Sequence, residues 1–332
     1  MKKSIIISAI VILVMAVVGG LIYYNQFLPK PLEKVKYGFS PFPGTLPYLV
    51  AKDEGFFKEE GIDVEIVYED YLKVNEDVAT GAVDFHSQYV LIDVVYAVSK
   101  GEDLAIVMAT DYSNGVDAIV AKKEIQTVSD LKGKKIGVDK GTLSEYLLAD
   151  ALKKSNLELS DVIEVGLSSL DAADAFIRGE VDASVSWEPD VNKAVVEGNG
   201  WRLYTSADSP GLIVDCLVFR SEFVTKYPEK VLAVVRGYMK AMDFIAENPN
   251  QAYAIGAKYS GITASEFEIQ YPGLKQVGLE DNQHLMTYGT GIASLHGLIN
   301  EAYDFLEERG FVEQAVDSTE IIHPQFIRAL TE

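Results

Sequence analysis

The sequence predicts an α/β protein of two lobes around an interdomain cleft, preceded by one N-terminal transmembrane or signal helix. Three observations predict it. From Lys34 onward, short β-branched runs alternate with helical patterns, the mark of parallel α/β units. A set of local motifs recurs in the same order 97 and 98 positions later. Residues Ile5–Tyr24 form an almost wholly apolar stretch behind Met1-Lys2-Lys3.

A stretch of twenty helical residues rises about 30 Å, the thickness of a bilayer's hydrocarbon. It is longer than the usual apolar core of a cleaved leader. It predicts an uncleaved anchor with Lys2 and Lys3 in the cytoplasm and the remainder outside. Removal after Gly19 is the alternative. A lipid anchor needs a cysteine just after the apolar run, and the only cysteine is Cys216. The segment Asn25–Glu33, with Pro29 and Pro31, reads as a short tether.

Length and charge narrow the classes. The 332 residues are enough for two cored lobes, and 48% hydrophobic with 24% charged residues is a globular composition. With 29 Lys+Arg against 50 Asp+Glu, a nucleic-acid partner is excluded for want of a basic surface. One cysteine and four histidines leave no disulfide framework and no zinc module, so no metal and no cofactor are expected.

Along the chain, Val35–Phe39 reads as a strand, Pro47 opens a helix to Phe57, and Gly61 breaks before strand Ile62–Tyr68. Helix Tyr71–Thr80, strand Val83–Ser87, helix Tyr89–Ser99 and strand Leu104–Thr110 follow. The plan then repeats. Thr45-Leu46 returns as Thr142-Leu143, and Gly81-Ala82-Val83-Asp84 as Gly179-Glu180-Val181-Asp182. Residues 30–116 and 217–332 are read as one lobe and 117–216 as the other. The crossings between them are the strand-like runs Val116–Lys122 and Leu212–Arg220. The pattern after Glu222 is helical.

Ligands of open α/β sheets bind at the carboxyl ends of strands. That rule selects Ser40, Phe42, Gly44 and Thr45, then His86, Ser87 and Gln88, then Asp111, Tyr112, Ser113 and Asn114. In the second lobe it selects Gly141, Thr142, Ser144, Trp187 and Glu188, and it adds Asp215 at the returning crossing. Gly44-Thr45 and Gly141-Thr142 precede helices, whose unpaired N–H groups can hold an anion; each threonine is equally readable as a plain N-cap. Asp111, Asp117, Glu188 and Asp215 can instead hold an ammonium, amidine or guanidinium group, or serve as caps and solvated turns. Trp187 either walls a pocket or packs, and His86 either donates to a ligand or is structural. Cys216, in an apolar run, reads as inert. No nucleophile elbow, Walker loop, zinc-protease motif or dinucleotide fingerprint is present.

Pro47-Tyr48-Leu49-Val50-Ala51 and Glu54-Gly55-Phe56-Phe57-Lys58-Glu59-Glu60-Gly61-Ile62-Asp63-Val64 closely resemble the first helix and strand of solute receptors for nitrate, sulfonate, taurine and thiamine-pyrimidine uptake. Val128–Val138 resembles their second-lobe entry, and Ser186-Trp187-Glu188-Pro189 their tryptophan loop. The resemblance, from about Val35 to Lys258, implies a type II periplasmic-binding fold. It implies a monomer on the outer face of the membrane that takes a small-molecule solute to an ABC permease with its cytoplasmic ATPase. His86-Ser87-Gln88 departs from the glycine-rich stretch of sulfonate receptors. Asp111-Tyr112-Ser113-Asn114-Gly115 resembles a branch associated with nitrogenous solutes, such as an aminopyrimidine or guanidine. An enzyme on the same fold, of pyrimidine-precursor or menaquinone-pathway type, and an anchored solute sensor are the alternatives.

Overall fold

The computed structural model describes residues 32–331 together with Met15. Apart from Met15, the apolar stretch 5–24 and the tether to Pro31 therefore lie outside the described residues. No helix among the described residues is long and apolar enough to cross a membrane.

The strands, in chain order, are β1 (Glu33–Phe39), β2 (Ile62–Tyr68), β3 (Phe85–Val90), β4 (Leu104–Ser113), β5 (Asp117–Ala121), β6 (Lys135–Val138), β7 (Ile163–Gly166), β8 (Ala183–Trp187), β9 (Trp201–Thr205), β10 (Val214–Arg220) and β11 (Leu274–Gln276). They form two sheets, ordered β11-β4-β10-β3-β1-β2 and β7-β6-β8-β5-β9. Without β11, the two orders describe one plan. A central strand (β1 or β6) lies parallel to its two neighbours (β2 and β3, or β7 and β8). One antiparallel strand (β10 or β5) follows, and β4 or β9 closes the row. Strand β5 enters the second sheet as the chain leaves the first, and β10 returns it.

The repeated sequence motif has a structural cause. The Asp84 carboxylate accepts the Lys36 backbone N–H at 2.7 Å, and the Asp84 N–H donates to the Lys36 carbonyl at 3.0 Å. In the second sheet, Asp182 does the same to Lys135, at 3.0 and 2.7 Å. Each aspartate thus grips the central strand near its start and sets the register of the strand that follows.

Alternation along β1 and β3 builds the first core. Tyr37 stacks on Phe85 with centroids 4.8 Å apart, and Phe85 on Phe219 of β10 at 5.2 Å. Buried aromatic pairs of this kind add to their area burial. The helix Pro228–Glu247 packs on helix Leu46–Asp53, and helix Leu295–Glu308 on helix Leu91–Ser99. The helix expected to run from Pro47 to Phe57 is two, Leu46–Asp53 and Phe56–Glu59, because Gly55 takes a left-handed conformation between them (φ 84°).

Removing either grip should weaken its lobe. Asp84→Ala and Asp182→Ala should each cost about 1–2 kcal/mol, as expected for a charge-assisted hydrogen bond to a backbone N–H. The matching Asn variants, which keep an acceptor, should cost less. Urea unfolding of the four variants checks this; equal losses for Ala and Asn would refute the grip.

Candidate functional site

A cavity opens where the two sheets face each other. It holds about 460 Å³ of free space, its open mouth included, and its inner part admits the centres of water-sized spheres over about 40 Å³, room for about three waters. Ser40, Pro41 and Phe42 come from the loop after β1, and Tyr71 from the start of the helix after β2. From β3 come His86, Gln88 and Val90, and from the entry to β10 come Ile213 and Asp215. The second lobe contributes Asp117, Leu143 and Trp187.

Strand direction explains why the two aspartates are there. Because β5 and β10 run antiparallel to the parallel strands, their first residues meet the carboxyl ends of β8 and β3: Asp117 pairs with Trp187, and Asp215 with Val90. Asp215 also sits directly opposite Asp111 of β4. All three carboxyls are buried. Burial pushes Asp117 up to about 7, against the opposing pull of Ser113 and with help from the charges of Asp111, Glu188 and Asp93. Burial and then the charge of Asp111 push Asp215 well up, and burial pushes Asp111 up too. Burial and mutual repulsion thus favour protonation of the facing pair. No ion pair among the described residues uses Asp93, Asp111, Asp117 or Asp215. No Lys or Arg lines the cavity.

The neutral side chains have defined directions. The ring of His86 is fully buried, and burial lowers its pKa to about 3, so the imidazole is neutral. Its Nδ1 lies 3.0 Å from the Asn75 carbonyl oxygen and donates to it. That tautomer leaves Nε2 as an acceptor, and it has no partner. Neither amide atom of Gln88 has a partner within hydrogen-bond geometry, though the side chain lies close enough to Asp111 to favour its charge. The Tyr71 hydroxyl donates to Asp93 at 2.6 Å, and its ring meets Trp187 edge-on at 5.8 Å.

Of the residues selected from sequence, Ser40, Phe42, His86, Gln88, Trp187 and Asp215 line the cavity. Asp111 and Gly44 lie just behind it; a Cβ on Gly44 would sit 2.6 Å from Gln88 Oε1 and 2.7 Å from Asp111 Oδ2. The others are not brought to it. The strand expected to end at Ser87 runs to Val90, and alternation along it turns His86, Gln88 and Val90 to the cavity and Ser87 away, onto the Tyr37 hydroxyl at 2.6 Å. Thr45 donates to the Phe42 carbonyl. Strand β4 likewise continues past Thr110, carrying Tyr112 into pairing with Val214 and Lys275 and Ser113 onto Ser206 at 2.6 Å. Asn114 is exposed. The Gly141 N–H donates to Glu145, Thr142 caps the helix Leu143–Lys154 through Ser144 N–H, and Ser144 is buried. Glu188 is held by Arg202 and by the Asn192 N–H at 3.0 Å. The cavity also takes in Asp117, one of the acidic candidates, and Pro41, Tyr71, Val90, Leu143 and Ile213, which the strand-end rule does not select. The loop after β2 is the signal for Tyr71, and the start of the crossing strand for Ile213.

The two helix starts read as anion sites sit in different surroundings. The Asp93 carboxyl lies near the Leu143 N–H, which favours its charge, although its Oδ1 makes no hydrogen bond. At the other, Thr45 is fully buried in a single turn of 3₁₀ helix.

The lobes touch beside the cavity. Arg309, just past the helix Leu295–Glu308, bonds Glu145 and, at 3.0 Å, Glu164 of the second lobe. Tyr146 packs on Phe305 with centroids 5.0 Å apart. Cys216 is fully buried outside the cavity, and burial pushes its thiol well up, away from the reactive thiolate. No cluster of His, Cys, Asp or Glu among the described residues is placed to hold a metal ion.

Comparison with known proteins places these features in a group. Residues 43–252 match the family model described as NMT1/THI5 like. The taurine-binding periplasmic protein of Escherichia coli (strain K12) is 28% identical over 247 residues, covering 70% of this chain and 73% of that one. The crystal structure of the periplasmic aliphatic sulphonate binding protein SsuA from Escherichia coli superposes with a TM-score of 0.72 at 22% identity, over 89% of this chain and 99% of that one. An enzyme is also similar: the 4-amino-5-hydroxymethyl-2-methylpyrimidine phosphate synthase THI13 of Saccharomyces cerevisiae, 25% identical over 231 residues, 65% of this chain and 67% of that one.

The buried carboxyls give a pH signature. An unfolded aspartate titrates near 3.8 and folded Asp117 near 7, so the folded state holds the proton more tightly between those values. The stability this contributes is whole below about pH 4 and is lost as the pH rises through 7. Asp117→Asn removes that loss. Relative to the parent, the variant should gain up to about 2 kcal/mol between pH 5 and pH 8 in urea unfolding of the ligand-free protein. A pH-independent difference would show that Asp117 is not a buried titrating group.

Proposed function

The chain belongs to the NMT1/THI5-like family, and on that premise we propose that it is the extracytoplasmic substrate-binding component of an ABC importer. It captures a small polar solute between two lobes and presents it to a membrane permease driven by a cytoplasmic ATPase. The observation that carries the reading is the cavity between the facing sheets. Two of its buried side chains, His86 and Gln88, offer polar atoms that no group of the protein satisfies. A native protein rarely leaves such atoms unpaired without a purpose, and a solute supplies the missing partners. The taurine- and sulphonate-binding names of the similar proteins support a binding role over catalysis. The buried Cys216 thiol offers no nucleophile to the cavity. The apolar stretch 5–24 would hold the protein at the outer face of the membrane.

Closure is the second part of the reading. Arg309 extends from a helix packed on the first lobe and bonds two carboxylates of the second. In a hinged receptor such a bridge favours the shut, solute-holding state over the open one.

Thermal unfolding of the dialysed full chain in detergent should sort candidate solutes. The set is taurine, methanesulfonate, nitrate, guanidinium, acetamidinium, methylammonium and an aminopyrimidine. At least one should raise Tm saturably, by the equivalent of about 2.7 kcal/mol at a hundredfold excess over Kd. No saturable shift with any of them counts against a receptor. Arg309→Met should lower the apparent affinity for the binding solute about tenfold and raise the radius of gyration of the solute-bound protein in small-angle scattering. Unchanged values would show that the bridge does not bias closure.

A further inference from the structure

We infer that the solute of this cavity is a compact organic cation with several N–H donors, of guanidinium or amidinium chemistry. The inference rests on the receptor reading above and adds the charge and donor pattern of what is bound.

The first observation is the sign of the wall. Asp117 reaches the cavity from one lobe and Asp215 from the other, with Asp111 directly behind Asp215. No cationic side chain lines the space with them, and Arg202 of the second lobe is bound to Glu188. A sulfonate or nitrate placed here would meet no cationic side chain and would hold the carboxyls in their protonated form, whereas a cation would favour their ionisation. The helix start at Leu143 has the Asp93 carboxyl near it.

The second observation is independent of charge. His86 is fully buried and lines the cavity, and its Nδ1–H is spent on Asn75. The unpartnered Nε2 is therefore an acceptor awaiting a donor. Gln88, 4% exposed, adds an amide on the same face of β3 whose oxygen and nitrogen are both unpartnered. The His86 acceptor and two carboxyls converge from β3, β5 and β10, so a ligand that donates in several directions at once matches them, with the Gln88 oxygen free to accept as well.

Size and shape narrow the class. The inner cavity seats about three waters, which suits a group of few non-hydrogen atoms. A planar, delocalised cation presents a fork of N–H donors to two carboxylates and lies against aromatic rings. Tyr71 and Trp187 supply such rings from opposite lobes. Closing the lobes would bring both carboxylates and both rings onto the ligand together.

The test compares guanidinium with urea, its neutral counterpart of the same shape, by calorimetric titration of the full chain in detergent at sub-denaturing concentrations. Acetamidinium, taurine, methanesulfonate, nitrate and calcium chloride complete the series. Guanidinium or acetamidinium should bind saturably and urea should not. Asp215→Asn and Asp117→Asn should each weaken the cation about tenfold or more, with the far-ultraviolet circular dichroism of the parent retained. Histidine 86 gives a second readout: in His86→Phe, which keeps the ring but removes the acceptor, cation binding should fall several-fold. Binding of taurine, methanesulfonate or nitrate in place of the cations would overturn the inference and leave the receptor reading standing. So would equal binding of urea, or binding of calcium alone. Binding of nothing in the series would count against both.

Discussion

The structure turns on three carboxyl groups kept out of water with no basic side chain beside them. Asp111 and Asp215 occupy directly opposed positions on neighbouring antiparallel strands, where like charges repel most strongly. Asp117 closes the triangle from the other lobe. A buried carboxylate without a partner is costly, and burial pushes all three groups toward the protonated form, a cost that a bound cation would offset. A fold selected only for stability would replace at least one of them with an apolar or amide residue. Their retention at the mouth of a cavity is the kind of local cost that proteins carry at binding sites.

Strand direction is what gathers them. In each sheet the parallel strands deliver their carboxyl ends to the cleft, while the crossing strand, β5 or β10, runs against them and delivers its beginning. The same two segments, β5 and β10, are the chain's passages between sheets. The residues that open the crossings are therefore both cavity walls and hinge neighbours. Any force a ligand exerts on Asp117 or Asp215 acts directly on the segments about which the lobes move. Arg309 restrains the same motion from outside, through Glu145 and Glu164. Ligand and bridge thus bias one equilibrium from two sides, with no need for a longer route between them.

Much of this is legible in the sequence, and the limits have physical reasons. The repeated Gly-x-Val-Asp motif marked two equivalent units because an aspartate that grips a neighbouring strand's backbone must sit at a fixed place in each. Loops after parallel strands could be named because hydrophobic runs reveal where strands lie. What failed were strand lengths. Ending β3 at Ser87 instead of Val90 turned an alternating strand into a loop, so Ser87 was counted with His86 and Gln88 although it faces the opposite side. Strand β4 erred in the same way and brought in Tyr112, Ser113 and Asn114. Pairings between distant segments are invisible to a local reading. Nothing near Glu188 in sequence announces that Arg202, on β9, takes its charge. Nothing near Leu143 shows that Asp93 lies beside the helix end it opens.

That last juxtaposition bears on the two ligand chemistries open to the sequence. Helix starts in an acidic protein suggest an anion site, whereas scattered aspartates suggest a cation site, and composition cannot choose between them. In the folded chain the Asp93 carboxyl lies near the Leu143 N–H across the lobes, so an anion at that helix start would meet an acidic group. The remaining aspartates are left facing the cavity with His86 Nε2 and Gln88 as their neutral companions. The similar taurine- and sulphonate-binding proteins share this fold, but a fold positions loops without fixing their charge. In this chain the side chains at those positions turn an acceptor-rich face toward the ligand, and a donor-rich cation is the partner that such a face can satisfy.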